Sequence, residues 1–307
     1  MRTIGGHTLI DALDPGEVGE RYLAWPPDEA AGPCILELLD PELAEDPGRV
    51  EVMLLEVAAA RALEGPRIAP PRAAGRSPEG AWFSRGLPPP GWSLGAVLEL
   101  GERMSEQLLV QISVWLAART ADAVAQAHAH GLLHGALAPE SVHVTPDGEV
   151  VLLDLGLGSV LGASALRLPH RAPELVAADV MTPRTDVYAL GIILLGCLVG
   201  ETPFRRADPI STRRAILEHR LPRARAVRPS MSPALDELVR SLCALDPEVR
   251  PARAAEVARL LEDALGPSGP LVATVLRRWL ERLPAAPPLA PEALRRARAG
   301  VDEITLP

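Results

Sequence analysis

The stretch His134-Gly135-Ala136-Leu137-Ala138-Pro139-Glu140-Ser141-Val142, followed by Asp154-Leu155-Gly156, decides the fold of this 307-residue chain. Between the two, Ser141–Val144 and Val150–Leu153 are short runs rich in β-branched residues that flank Pro146-Asp147-Gly148. That arrangement predicts a β-hairpin with a Pro/Gly turn. Upstream, Leu109, Ile112, Leu116 and Val124 fall at helical spacing, so a helix runs from a Ser105 cap to about His130. Downstream, the pattern predicts a buried helix at 185–199 and further helices near 208–219, 232–244 and 251–265. After Gly266, Leu271, Val275, Trp279 and Leu283 share a helix face that should pack on its own domain. Pro284 to Pro291 then reads as a stiff linker, ahead of a short basic helix at 292–299.

The N-terminal third reads differently. Thr8-Leu9-Ile10 and Tyr22-Leu23-Ala24 flank Asp14-Pro15-Gly16-Glu17-Val18-Gly19, which predicts a hairpin. Cys34–Leu39 is a third strand, and Ala81–Ser84 a further one. Val52, Leu55, Ala59 and Leu63 place a helix over 49–63. Pro88-Pro89-Pro90-Gly91 breaks the chain rigidly. The expectation is a small sheet with one packed helix.

Composition narrows the function classes. A hydrophobic fraction of 48% over this length supports a sizeable core in one large domain or two lobes. A formal charge of −9 disfavours nucleic acid, whose binding needs a basic face. Cys34, Cys197 and Cys243 form no CxxC pair, which suits a reducing cytoplasm better than a disulfide or zinc framework. The longest apolar run, Val187 to Gly200, is shorter than the roughly 18 residues of a membrane span. With no apolar leader at Met1–Gly6, the expected location is the cytoplasm. The chain contains no Lys and no Asn.

Taken together and in order, these residues resemble the eukaryotic-like (Hanks-type) serine/threonine protein kinases of bacteria. The resemblance covers about residues 3 to 265. It rests on Leu13–Ala24 as a glycine-rich loop that keeps Gly16 and Gly19, Cys34–Leu38 as the V-A-x-K-V strand, Glu56 as the helix-C glutamate and His134–Ser141 as the catalytic loop. It continues with Asp154-Leu155-Gly156, Arg171-Ala172-Pro173-Glu174, Asp186 through Gly191, and Asp246-Pro247 with Arg250-Pro251. It implies an α+β, bilobal fold: an N-lobe at 1–92, a helical C-lobe at 93–265 and a helical tail at 266–307. It further implies framework roles for His134, Glu174, Asp186 and Arg250, with Glu174 pairing Arg250 and Asp186 bracing the catalytic loop.

The chemistry that the resemblance would bring is largely gone. Ala136 stands at the proton-accepting Asp, a role worth about 10²–10⁴ in rate. Ala138 stands at the phosphate-holding Lys, Ser141 at the magnesium-binding Asn, and Glu37 at the lysine of the third strand. If helix C swings in, Glu37 faces Glu56, and two like charges about 4 Å apart repel by roughly 4 kcal/mol at an effective dielectric near 20; either one carboxylate is then protonated or helix C sits out. Asp154 is the surviving metal ligand. It reads either as a residual Mg²⁺-nucleotide site or, with the cations missing, as an acid that caps or bonds the following loop. Arg21 is the one nearby cation expected, and it is expected to point to solvent.

The sequence therefore reads as a catalytically inactive pseudokinase, a scaffold or allosteric regulator in bacterial signalling. Alternatives are a nucleotide sensor without turnover and a repurposed nucleotide-dependent transferase. No cofactor is expected beyond weak Mg-ATP binding. The implied partner is a protein, an active kinase or a phosphoprotein, with no nucleic acid and no membrane; self-association stays open. Residues 1–64 carry fourteen acids against four arginines, and 201–230 carry eight arginines against three acids. Arg205, Arg206, Arg213, Arg214 and Trp279 are the candidate partner surface.

Overall fold

The computed structural model describes residues 2–63, 65–104, 106–177 and 181–284. Ser105, the expected helix cap, lies outside these residues, as do the linker beyond Pro284 and the basic helix at 292–299. The N-lobe is built on an antiparallel sheet of β1 (Thr3–Ile4), β2 (His7–Ala12), β3 (Gly19–Trp25), β4 (Cys34–Leu39), β5 (Pro71–Ser77) and β6 (Gly80–Gly86), in the order β1-β2-β3-β4-β6-β5. A short helix α1 (Pro41–Ala44) leads into α2 (Pro47–Ala60), whose first turn is capped by Asp46 accepting from the Arg49 N–H.

Strand alternation divides the N-lobe core. Leu36, Cys34 and Trp82 pack with Ile4, Tyr22 and Ala24 on one face. Phe83 goes to the other, against Val50, Met53 and Val57 of α2. With Leu36 paired to Ser84 and Glu37 to Phe83, the same period of two puts Glu37 and Arg85 on the Phe83 face of the sheet, where Arg85 lines the cleft and Glu37 is buried.

Helices dominate the C-lobe. A small sheet of β7 (Trp92–Ser93), β8 (Val142–Val144) and β9 (Val150–Leu152) supports it, beside α3 (Leu94–Arg103) and α4 (Val110–Ala129). The turn of the β8–β9 hairpin is closed by Gly148 N–H donating to Thr145 O at 2.8 Å. Then follow α5 (Gly158–Leu161), α6 (Pro173–Ala177), α7 (Pro183–Val199), α8 (Pro209–Glu218), α9 (Ala224–Val227), α10 (Pro233–Leu242), α11 (Ala254–Leu265) and α12 (Gly269–Leu280). Helix α7 is buried on every side from Thr185 onward because it runs through the core. Gly191 lets α10 approach it, since a Cβ there would sit 2.7 Å from the Leu242 Cβ. Among the described residues no helix is long and apolar enough to cross a membrane.

The tail helix α12 packs on the C-lobe, with one correction to the expected stripe. Val272, Leu276, Trp279, Leu280 and Leu283 are buried, whereas Leu271 is exposed. The packed face is rotated because Trp279 must reach Gly101 of α3, where a Cβ would stand 3.4 Å from its ring.

Candidate degenerate active site

The floor of the cleft is held by framework residues. Asp186, fully buried at the start of α7, accepts from His134 N–H at 2.8 Å, Gly135 N–H at 2.9 Å and His128 Nε2 at 2.9 Å. Burial opposes its charge, but these donors hold its pKa below the usual carboxylate range. His134 Nε2 meets Leu153 O at 3.0 Å, and burial pushes its pKa down. Arg250 forks onto Glu174 at 2.6 and 2.9 Å and lies 4.6 Å over the Tyr188 ring. Both pairs lock C-lobe segments far apart in sequence.

Above this floor the structure places a cation that no motif marks. Arg167, 4% exposed, lies in the segment that follows Asp154-Leu155-Gly156 and points back into the site. Its Nη2 donates to Asp154 Oδ2 at 2.7 Å and to Glu17 Oε1 at 2.8 Å. Its Nε donates to Glu17 Oε2 at 2.9 Å, and its Nη1 to Ala136 O at 2.9 Å and to Ser141 Oγ. All five guanidinium donors are therefore used. Asp154 receives a second guanidinium from Arg85 at the end of β6. Burial alone would raise its pKa; the two arginines bring it down to about 2.

Glu37 and Glu56 are held by separate partners. Glu37 is met by Arg85 at 3.5 Å and by the Val18 N–H at 3.4 Å. Burial still raises its pKa. Glu56 accepts from the Ser159 N–H at 3.2 Å, and Arg49 of the same helix donates to Ser159 O at 2.7 Å. Helix α5 thereby docks on α2, with Leu157, Val160 and Leu161 in the core beneath it. The glycine-rich loop is folded onto Glu37: a Cβ on Gly16 would come within 2.3 Å of that carboxylate. Gly19 is pressed against the backbone of Leu38.

One sequence expectation needs correction. Arg21 is not the one cation near the site, since Arg85 and Arg167 both stand inside it, while Arg21 Nε is held by Asp14 O at 2.8 Å. The Asp154 carboxylate does bond the loop after it, through Arg167 of that loop, and it also receives Arg85 from β6. Arg167 meets Glu17 and Asp154 here, and Arg85 meets Asp154 and Glu37.

The cleft itself remains, with a volume of about 1140 Å³ between the lobes. Its connector carries Pro88, Pro89 and Pro90, which have no N–H to offer a bound ring. Pro89 O already accepts from His143 Nε2 at 2.8 Å. Among the described residues, no group of three or more His, Cys, Asp or Glu side chains could hold a metal.

Comparison with known proteins identifies the fold. The protein kinase domain model matches residues 92–261. The chain belongs to the protein kinase family. It is 30% identical over 299 residues to the serine/threonine-protein kinase PknH of Mycobacterium tuberculosis, covering 92% of this chain and 46% of that protein. To PknD of the same organism it is 30% identical over 287 residues, covering 89% and 42%. The chain thus spans about half the length of the curated relatives it matches. The crystal structure of the M. tuberculosis PknI kinase domain superimposes with a TM-score of 0.71 at 25% identity, over 86% of this chain and 98% of that one.

In this kinase fold, sequence reasoning located Ala136, Ala138, Ser141, Glu37 and Asp154 but missed Glu17, Arg85 and Arg167. A signal did exist. In a chain with no Lys, a buried charged acid at 154 draws mainly on arginine, but which arginine depends on tertiary contacts. The other candidate surface is α8. Arg213 and Arg214 are exposed there, with Arg205 and Arg206 just ahead of it, whereas Trp279 is buried on the inner face of the tail helix, against the C-lobe, and is not available to a partner.

Proposed function

We propose that this chain is a pseudokinase: a protein kinase fold that acts by binding a protein partner, as a scaffold or allosteric regulator, and not by phosphoryl transfer. The observation that carries this reading is Arg167. Its guanidinium occupies the point where Asp154, Ser141 and the Ala136 carbonyl converge, the place a divalent cation would need. Metal binding there would have to expel a buried arginine and leave its partners uncompensated, at a cost of several kcal/mol.

Three further facts support the same reading. Ala136 offers no acceptor for a substrate proton, and Ala138 offers no charge to a phosphoryl group. The arginines nearest the site are matched by carboxylates. The proline connector withholds backbone donors. Glu17 of the N-lobe and Arg167 of the C-lobe also tie the lobes together, so the partner would meet a closed shape that needs no nucleotide.

The test is calorimetric titration with ATP and Mg²⁺ to millimolar concentration, alongside transfer of labelled γ-phosphate to a serine/threonine peptide. Silence in both is the expected result. Saturable Mg²⁺-dependent binding with transfer that is lost in Asp154→Asn would overturn the reading.

A further inference from the structure

We propose that the arginine cluster on α8 is a docking site for a phosphorylated peptide segment of a partner protein. This rests on the reading of the chain as a binding module and names the chemistry of what it binds. Arg206, Ser211, Arg214, Ala215, Glu218 and Arg220 line a surface pocket of about 210 Å³. That is below the roughly 300 Å³ at which pockets for whole small ligands begin, and suits a single charged side chain.

The charges in the pocket do not balance. Glu218 sits among three guanidinium groups: Arg214 Nε donates to its Oε1 at 2.8 Å, Arg220 Nε lies 3.9 Å from its Oε2, and Arg206 adds a longer-range pull. One carboxylate against three arginines leaves a surplus of two positive charges. A phosphorylated side chain carries about −1.5 to −2 at neutral pH and matches that surplus. Arginine also grips phosphate through two parallel N–H donors, and phosphate brings a third acceptor oxygen and a second charge that a carboxylate lacks. Arg206 is preset for this, because its Nη1 is anchored to Pro203 O at 3.1 Å and to Arg205 O at 2.8 Å.

The surroundings suit a peptide. Ile210 is 81% exposed and Leu217 50% exposed. They stand seven residues apart on one face of α8, with Arg213 and Arg214 between them. A charged centre flanked by two bare apolar side chains offers both anchoring and burial to an extended segment. Nucleic acid fits poorly, since the chain as a whole is acidic, with a net charge of −9. Asp208, which caps α8 by accepting from Ser211 N–H and Oγ, keeps the anion away from the helix N-terminus and over the arginines.

The experiment is fluorescence anisotropy with three versions of one peptide pool, in which serine, phosphoserine or glutamate is fixed at the centre and leucine two residues to either side. The expected result is phosphoserine binding at least about tenfold tighter than serine or glutamate. That binding should be lost in Arg206→Ala/Arg214→Ala/Arg220→Ala and strengthened in Glu218→Gln, which removes the competing anion. Equal binding of phosphoserine and glutamate, indifference to Glu218→Gln, or no binding at all would overturn the site. ATP turnover in the companion assay would instead overturn the non-catalytic reading, so the two failures are distinguishable.

Discussion

Arg167 Nη2 and Asp154 Oδ2 lie 2.7 Å apart, both side chains buried, in the space between the lobes. A charge pair so placed contributes little net stability against an apolar alternative, but removing one partner is costly. Arg167→Ala should destabilise the fold by about 3 kcal/mol or more in urea denaturation. The double variant Arg167→Met/Asp154→Asn should recover a large part of that loss. A single-variant loss below about 1 kcal/mol would show that water reaches Asp154 and that the pair is not a buried one.

Arg167 should also set metal affinity. The wild-type chain should give no enhancement of water proton relaxation with Mn²⁺ at micromolar to low-millimolar levels, whereas Arg167→Ala should, because it frees one oxygen of Asp154 and the Ser141 hydroxyl. Wild-type binding equal to that of the variant would mean that the guanidinium does not block the metal position.

His170 predicts a pH dependence. Burial, then the charges of Arg205 and Arg167, lower its pKa from 6.5 to about 3. The unfolded chain therefore takes up a proton at a higher pH than the native one. Its contribution to stability is complete above pH 6.5 and is lost as pH falls toward 3, with a slope of up to about 1.4 kcal/mol per unit. His170→Leu should flatten the fall in melting temperature between pH 6.5 and 4.5 relative to wild type. Parallel curves would place His170 in solvent.

Gly16 and Glu37 should be coupled. A methyl group at Gly16 would collide with the Glu37 carboxylate, so Gly16→Ala should cost about 1–3 kcal/mol. Most of that cost should disappear in a Glu37→Ala background. Additive losses in the double-mutant cycle would place the glycine-rich loop away from Glu37.

Much of the C-lobe was legible because its helices carry apolar residues at helical spacing and its corners carry Pro, Gly and paired acid–base residues. Cys34–Leu39 was legible for a simpler reason: six consecutive buried apolar or acidic positions in a central strand. β5 was not, since Pro-Arg-Ala-Ala-Gly-Arg-Ser has no apolar alternation and becomes a strand only by pairing with β6. α3 escaped notice because its buried side is only Leu94, Val97 and Gly101. The tail stripe was rotated in prediction because helical spacing gives a periodicity, while the neighbouring Gly101 chooses which face is pressed inward.

Which groups stand at positions 37, 136, 138 and 141 was determined by sequence alone: residue types set what chemistry a position can perform, and the chain contains no Lys and no Asn. What packs around them was decided by tertiary structure. Arg85 reaches Asp154 across 69 residues, and Arg167 reaches Glu17 across 150. Neither arginine has a local pattern, because their selection rests on the cost of burying Asp154 without a counter-charge, and that cost exists only once the lobes have closed around it.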